Sequence, residues 1–213
     1  MGFERGRRFR EELMEWTDVN MRDFSWRDDE ISFYEVFIAE FFLARTRADV
    51  VEGVYPEFLS KFPDFESIAS ASNEEIIDVI EPMGLQNRRA DALKRIAERV
   101  GDEGLPRDEE LLLELPRVGQ YATNATLCFA ENESKPIVDT NIDRIFGRIL
   151  RDEWPEHRDE QIELLDALVP SEEARLYNLG LLDFGALVCT ARSPRCEECF
   201  ARDYCGYYNE SDT

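Results

Sequence analysis

Four thiols must be brought together near the end of this 213-residue chain: Cys189, Cys196, Cys199 and Cys205 lie in its last quarter, separated by six, two and five residues. A loop-rich stretch with that content folds around whatever the thiols hold. In a reducing compartment such a set points to a metal or cluster site rather than to disulfides. Tetrahedral zinc and an iron–sulfur cluster both accept four thiolates. Zinc ribbons more often pair two Cys-x-x-Cys knuckles, and here only Cys196 and Cys199 form one. The spacing favours a [4Fe-4S] cluster, while residue type alone leaves zinc open. Cys128, alone in an apolar stretch, reads as a small buried hydrophobe on a helix.

The rest of the chain is patterned almost wholly for helix. Phe33 to Ala48 is apolar around most of its circumference, with Glu40 interrupting it. Val50–Lys61, Glu74–Ile80, Arg88–Val100, Glu109–Glu114, Tyr121–Ala130, Asn141–Leu150, Arg158–Leu168 and Arg175–Val188 also carry apolar residues near helical period. Ser72-Asn73-Glu74-Glu75 is a capping box, and Pro63, Pro82, Pro106, Pro116, Pro136, Pro155 and Pro170 fall between the segments. Nothing alternates cleanly enough for a strand, so the expected fold class is all-α.

The formal charge is −22, with 47 acidic residues against 25 basic ones, and only Lys61, Lys94 and Lys135 are lysines. That balance argues against an ordinary basic nucleic-acid binder. With 43% hydrophobic residues the chain can still bury a core, so acidity does not mean disorder here. An acid excess with arginine as the preferred base suits a protein working in very high salt, where the Debye length falls to about 3 Å at 1 M. The charge is also uneven: residues 115–150 hold four basic and four acidic residues, and 186–206 three of each. Any polyanion would be met in those two neutral windows. No apolar run approaches the roughly 20 residues that span a bilayer, and the Arg-rich start lacks an apolar follow-on. The expectation is a cytoplasmic protein without a membrane partner.

The neutral windows hold the motifs. Leu115-Pro116-Arg117-Val118-Gly119-Gln120-Tyr121 joins two helices through a tight turn, and from Gly119 onward the second helix can offer backbone N–H groups to a phosphate. Ile137-Val138-Asp139-Thr140-Asn141-Ile142-Asp143-Arg144 is an apolar lead-in to a helix start, which Asp139 or Thr140 can cap. An ionised carboxylate there can stabilise an oxocarbenium-like cation or orient water.

LPRVGQY, then VDTNIDRI, then Cys-x6-Cys-x2-Cys-x5-Cys, in this order and spacing, resembles the helix-hairpin-helix DNA glycosylases of the endonuclease III superfamily. The likeness covers nearly the whole chain, including MGLQNRRADALKRIA and LYNLGLLDFGALVCTARSPRCEEC. It implies a bilobal protein: a helical domain over residues 24–134, and a second lobe made of 1–23 plus 135–213 with the [4Fe-4S] loop. It further implies a monomer bound to double-stranded DNA that carries a mismatched or damaged base, with that base flipped into the cleft between the lobes. Asp139 matches the catalytic aspartate. The hairpin residues Arg117, Val118 and Gly119 would meet phosphate, as would Arg192 and Arg195 of the cluster loop; Gln86 and Asn87 match a loop that contacts the strand, and Arg45 a residue entering the duplex beside the extruded base. The family usually has Gly where Arg117 stands, so its positive-φ turn must be met without glycine.

Two positions narrow the activity within that resemblance. Tyr121 stands where the bifunctional members carry their Schiff-base lysine, and a phenol forms no imine, which implies a monofunctional enzyme. Glu40 matches a glutamate of the members acting on mismatched adenine or thymine. Glu40, Tyr121 and Asp139 together look most like the thymine-DNA mismatch glycosylases, which remove T or U opposite G, with Tyr121 against the flipped base. The alternatives are an A/G-specific adenine glycosylase lacking the usual C-terminal reader of oxidised guanine, and a non-catalytic cluster-bearing DNA-binding module. His157 is expected at the surface; Trp16, Trp26 and Trp154 are expected in the core.

Overall fold

The computed structural model describes residues 2–211, and among these every regular element is helical. In chain order they are α1 (Gly2–Asn20), α2 (Phe33–Leu43), α3 (Ala48–Lys61), α4 (Phe65–Ser70), α5 (Asn73–Ile80), α6 (Gln86–Val100), α7 (Glu109–Leu113), α8 (Gln120–Glu131), α9 (Thr140–Leu150), α10 (Arg158–Leu168), α11 (Ala174–Leu187) and α12 (Gly206–Ser211). No described helix is long and apolar enough to cross a membrane. The chain divides into two compact units, Asp23–Glu131, and Met1–Arg22 with Asn132–Thr213. Met1, Asp212 and Thr213, which the expected second lobe includes, lie outside the described residues.

The unit Asp23–Glu131 is built around α2. Phe33, Val36, Phe37, Ile38, Ala39, Phe41 and Phe42 are all buried, so this helix has no solvent face and must sit at the centre. It packs against α3 and α8, while α4 and α5 lie on α6. Side-chain caps set where the helices begin. Ser32 with Glu35, Asp64 with Ser67, and Ser72 with Glu75 each form a reciprocal capping box, satisfying two backbone donors that the helix cannot. The apolar run suggests a helix as far as Ala48, yet α2 stops at Leu43 because Arg45 turns the chain at a left-handed φ of 67°. Gln86 and Asn87, expected in a loop, form the first turn of α6.

In the other unit α1 lies against α11, α9 and α10. Gly180 of α11 sits under Thr17 of α1, where a Cβ would collide with the Thr17 hydroxyl, so only glycine permits that crossing. Phe9 of α1 is the aromatic hub, edge-on to Phe146 (5.7 Å) and Phe184 (5.3 Å) and stacked on Phe200 (5.4 Å). Phe200 belongs to the cysteine loop, so this cluster fastens the loop to the body of its unit. Trp26 is buried as expected, whereas Trp16 and Trp154 are half-buried and pack against Phe184 and Phe146; His157 is exposed.

Candidate functional site

Asp139 caps α9. Its Oδ1 accepts from the backbone N–H of Asn141 (2.8 Å) and of Ile142 (2.9 Å), and its Oδ2 from the Asn141 side-chain amide (2.6 Å). A helix N-terminus favours negative charge, and three donors converging on one carboxylate hold it in place. The chain of contacts continues. Arg144, one turn on, donates to Asn141 Oδ1 (2.9 Å), to the Gly185 carbonyl of α11 (3.0 Å) and to the Cys189 carbonyl (2.9 Å). Gly185 makes room for it: a Cβ there would stand 3.1 Å from that of Asn141. The aspartate is thus linked through two side chains to the first residue of the cysteine loop. The sequence hides this link, since neither Asn141 nor Arg144 has a distinctive spacing to Cys189; the sole local signal is the i, i+3 pair at the start of α9.

Cys189, Cys196, Cys199 and Cys205 all line one small cavity, together with Arg148, Pro194 and Tyr207. Arg148 donates to Cys189 Sγ (3.3 Å) and to the carbonyls of Thr190 (2.7 Å) and Ala191 (3.1 Å), and its guanidinium lies over the Tyr207 ring (4.9 Å). Burial, reinforced by the neighbouring thiols, raises the Cys196 and Cys205 thiols and pushes Cys199 up to about 11. Protein groups alone therefore leave these sulfurs protonated, and a positively charged centre is what would draw them out as thiolates. Four thiols lining one small cavity are the donor set that a [4Fe-4S] cluster takes. Arg192 and Arg195 of this loop are exposed.

The unit Asp23–Glu131 carries the second carboxylate. Glu40 is 2% exposed on α2, and its Oε2 has no hydrogen-bond partner. Burial raises its pKa from 4.5 to about 8, against the Arg27 charge, which pulls the other way. The side chain thus keeps its proton at neutral pH. Tyr121 stands in the first turn of α8, the helix that packs on α2. Before it, Arg117 adopts φ 64°, so the turn is made with a non-glycine residue in the left-handed region, and its side chain points into solvent. Val118 is spent inside the protein: its side chain is buried and its N–H donates to the Leu115 carbonyl (3.2 Å). Gly119 is exposed with open space around it, which leaves the backbone at the start of α8 approachable.

A further cavity of this unit gathers Arg45, Leu85, Arg88, Arg89 and Arg117, and no carboxylate lines it. Arg45 and Arg117 belong to the expected DNA contacts; Leu85 and Arg89 do not stand out in the sequence. Gln86 is half-buried and Asn87 exposed in the adjoining turn.

Residues 38–170 match the family described as HhH-GPD superfamily base excision DNA repair protein, and residues 189–205 match the iron-sulfur binding domain of endonuclease III. The chain is 35% identical to a thymine/uracil-DNA glycosylase of Methanothermobacter thermautotrophicus over 94% of its own length and 93% of that protein's. It is 34% identical to an adenine DNA glycosylase of Mycolicibacterium smegmatis over 88% of this chain and 66% of that one. Among solved structures it resembles a thermostable thymine-DNA glycosylase, with a TM-score of 0.91 and 33% identity over 97% of this chain and 98% of the other. The cysteine loop is accordingly the seat of a [4Fe-4S] cluster, and the chain belongs to the HhH-GPD superfamily of base excision DNA repair proteins.

Proposed function

We propose that this DNA glycosylase is monofunctional and removes thymine or uracil paired with guanine by hydrolysing the N-glycosidic bond. The observation that carries the reading is Glu40: a buried carboxyl, one oxygen without a partner, that stays protonated near neutrality. A proton held in a dry site is what a departing base needs, because a pyrimidine leaves far more easily once its developing negative charge is neutralised. Asp139 supplies the other half, an acceptor-only carboxylate on a helix N-terminus that stabilises the oxocarbenium-like sugar and orients the attacking water. Tyr121 supports the absence of strand cleavage. A covalent imine requires an amine, and a phenol at that place can only stack on or hydrogen-bond the base, with stacking worth roughly 1–3 kcal/mol. The thiol loop, through Cys189 and Arg144, braces the helix that Asp139 caps.

The full-length likeness to thymine/uracil-DNA glycosylases supports the choice of base. The likeness to adenine DNA glycosylases favours a second reading, release of adenine opposite guanine or oxidised guanine. Duplexes containing G:T, G:U, A:G or A:oxidised-G, incubated with the protein at molar KCl and then treated with alkali, separate the two. Product from G:T and G:U is expected, and strand breaks only after alkali. Product confined to the adenine duplexes rejects the first reading, and breaks before alkali reject monofunctionality. The proposal extends to the working medium: a −22 chain meets DNA readily where salt screens its carboxylates, so binding should fall less steeply with salt than for a basic relative.

A further inference from the structure

Five described residues other than glycine hold a positive φ, and three of them, Arg45 (67°), Leu85 (55°) and Arg117 (64°), line a single cavity. Side chains with a Cβ rarely adopt that conformation, and where they do the surrounding structure enforces it. Leu85 is also 45% exposed, an apolar side chain left in water beside four arginines. These are features of a surface kept in shape for a partner rather than for the stability of the chain.

Arg89 accounts for how two of the three turns are held. Buried to 4% exposure on α6, it has five N–H donors, and five acceptors receive them. Nη1 donates to the carbonyls of Phe41 (3.0 Å) and Phe42 (3.3 Å). Nη2 donates to the Ala44 carbonyl (3.0 Å) and to Thr46 Oγ1 (2.6 Å), and Nε to the Gly84 carbonyl (3.3 Å). The last carbonyls of α2 would otherwise be orphans. Glu40 and Leu43 have backbone partners in Ala44 and Thr46, and Phe41 and Phe42 have Arg89. One planar cation therefore ties the end of α2 and the Arg45 turn to the Gly84–Leu85 turn. None of its five acceptors is a carboxylate, so its charge still adds to the field of the cavity it lines.

Resting on the glycosylase reading above, we infer that Arg89 is a positioning residue for DNA engagement: it locks the Arg45 and Leu85 turns into one rigid basic surface, and without touching the base it sets how tightly the lesion-bearing duplex is held. Lysine cannot replace it, because a point charge with three donors cannot bridge five acceptors spread over two loops.

The test measures two quantities separately for wild type, Arg89→Lys, Thr46→Val and, on the exposed side of the same helix, Arg95→Met. One is the dissociation constant for a duplex carrying a stable abasic-site analogue; the other is the single-turnover rate of base release with protein in saturating excess. R89K is expected to weaken binding about tenfold while the saturated rate stays within about threefold. T46V, which removes a single acceptor, should shift affinity in the same direction by about threefold, and R95M not at all. A merely structural role would lower the active fraction and leave the affinity of the remaining molecules unchanged. The inference is overturned if R89K binds like wild type, if only its active fraction falls, or if R89K is insoluble and T46V binds normally. Should wild type release no base from any duplex, the substrate reading fails, while the abasic-site affinities still judge Arg89.

Discussion

The two carboxylates of the proposed chemistry stand in opposite surroundings. Asp139 accepts three hydrogen bonds at the start of α9, whereas Glu40 lies buried on the phenylalanine-rich α2 with an oxygen that meets no donor. The first arrangement suits a carboxylate held in a fixed orientation toward the sugar, and the second suits one that carries a proton to deliver. The same functional group is thus divided into two roles by solvation and donors alone, without any difference in intrinsic acidity large enough to matter.

The sharpest way to break this comparison is Asp139→Asn. Asparagine caps a helix about as well as aspartate, so the melting temperature should hardly move. The charge facing the sugar cation is gone, and single-turnover base release should fall at least about 10³-fold. A variant that retains wild-type turnover would remove Asp139 from the chemistry and revive the reading of a DNA-binding module.

Glu40→Gln probes the other carboxylate. Release should drop about 100-fold, because an amide fills the space but donates no proton to the base. The pH dependence gives the sign. Wild-type activity that needs the protonated form should decline above pH about 8, and E40Q should lose that limb. Stability should follow the same group. Glu40 binds its proton more tightly folded than unfolded, so its contribution is intact below pH 4.5 and diminishes toward pH 8. Across that window the loss is about 1.4 kcal/mol per pH unit at most, and E40Q should flatten it. A wild-type profile that rises through pH 8 would mean that Glu40 acts as a base.

Smaller effects should come from the link behind Asp139. Asn141→Ala deletes one of its three donors and one of the three acceptors of Arg144. A rate loss of about tenfold is expected, with about 1 kcal/mol of stability lost by chemical denaturation. An unchanged rate would show that the two backbone donors suffice to aim the carboxylate.

What the sequence revealed follows from how local each signal is. Glu40 is legible because one carboxylate interrupts a run of apolar residues, and the cysteine loop because its spacing is a covalent fact. The helices α3 and α5 to α11 are legible from period and caps, and Ser72-Asn73-Glu74-Glu75 forms its box. The end of α2 was not legible. FYEVFIAEFFLA runs apolar right up to the turn with no glycine or proline to mark a stop, and the turn at Arg45 is stabilised by Arg89, 44 positions away. Arg144 is hidden for the same reason, its partners being Gly185 and Cys189. Long side chains that bridge distant backbone carbonyls leave no period, and the family pattern supplies Gly, not Arg117, for the hairpin turn.

The mildest substitution separates capping from catalysis. Ser72 and Asp139 occupy the same N-cap position, each accepting from the backbone of the first turn, but α5, which Ser72 caps, carries no proposed contact with DNA. Ser72→Ala should cost about 1 kcal/mol of stability, read as a shifted denaturation midpoint, and leave base release per folded molecule unchanged. D139N should do the reverse. If both variants lost stability and neither lost rate, Asp139 would be a helix cap and no more; if S72A lost rate while folded, stability of this unit rather than the chemistry of α9 would limit the reaction, and the contrast between the two carboxylates would have to be sought in folding.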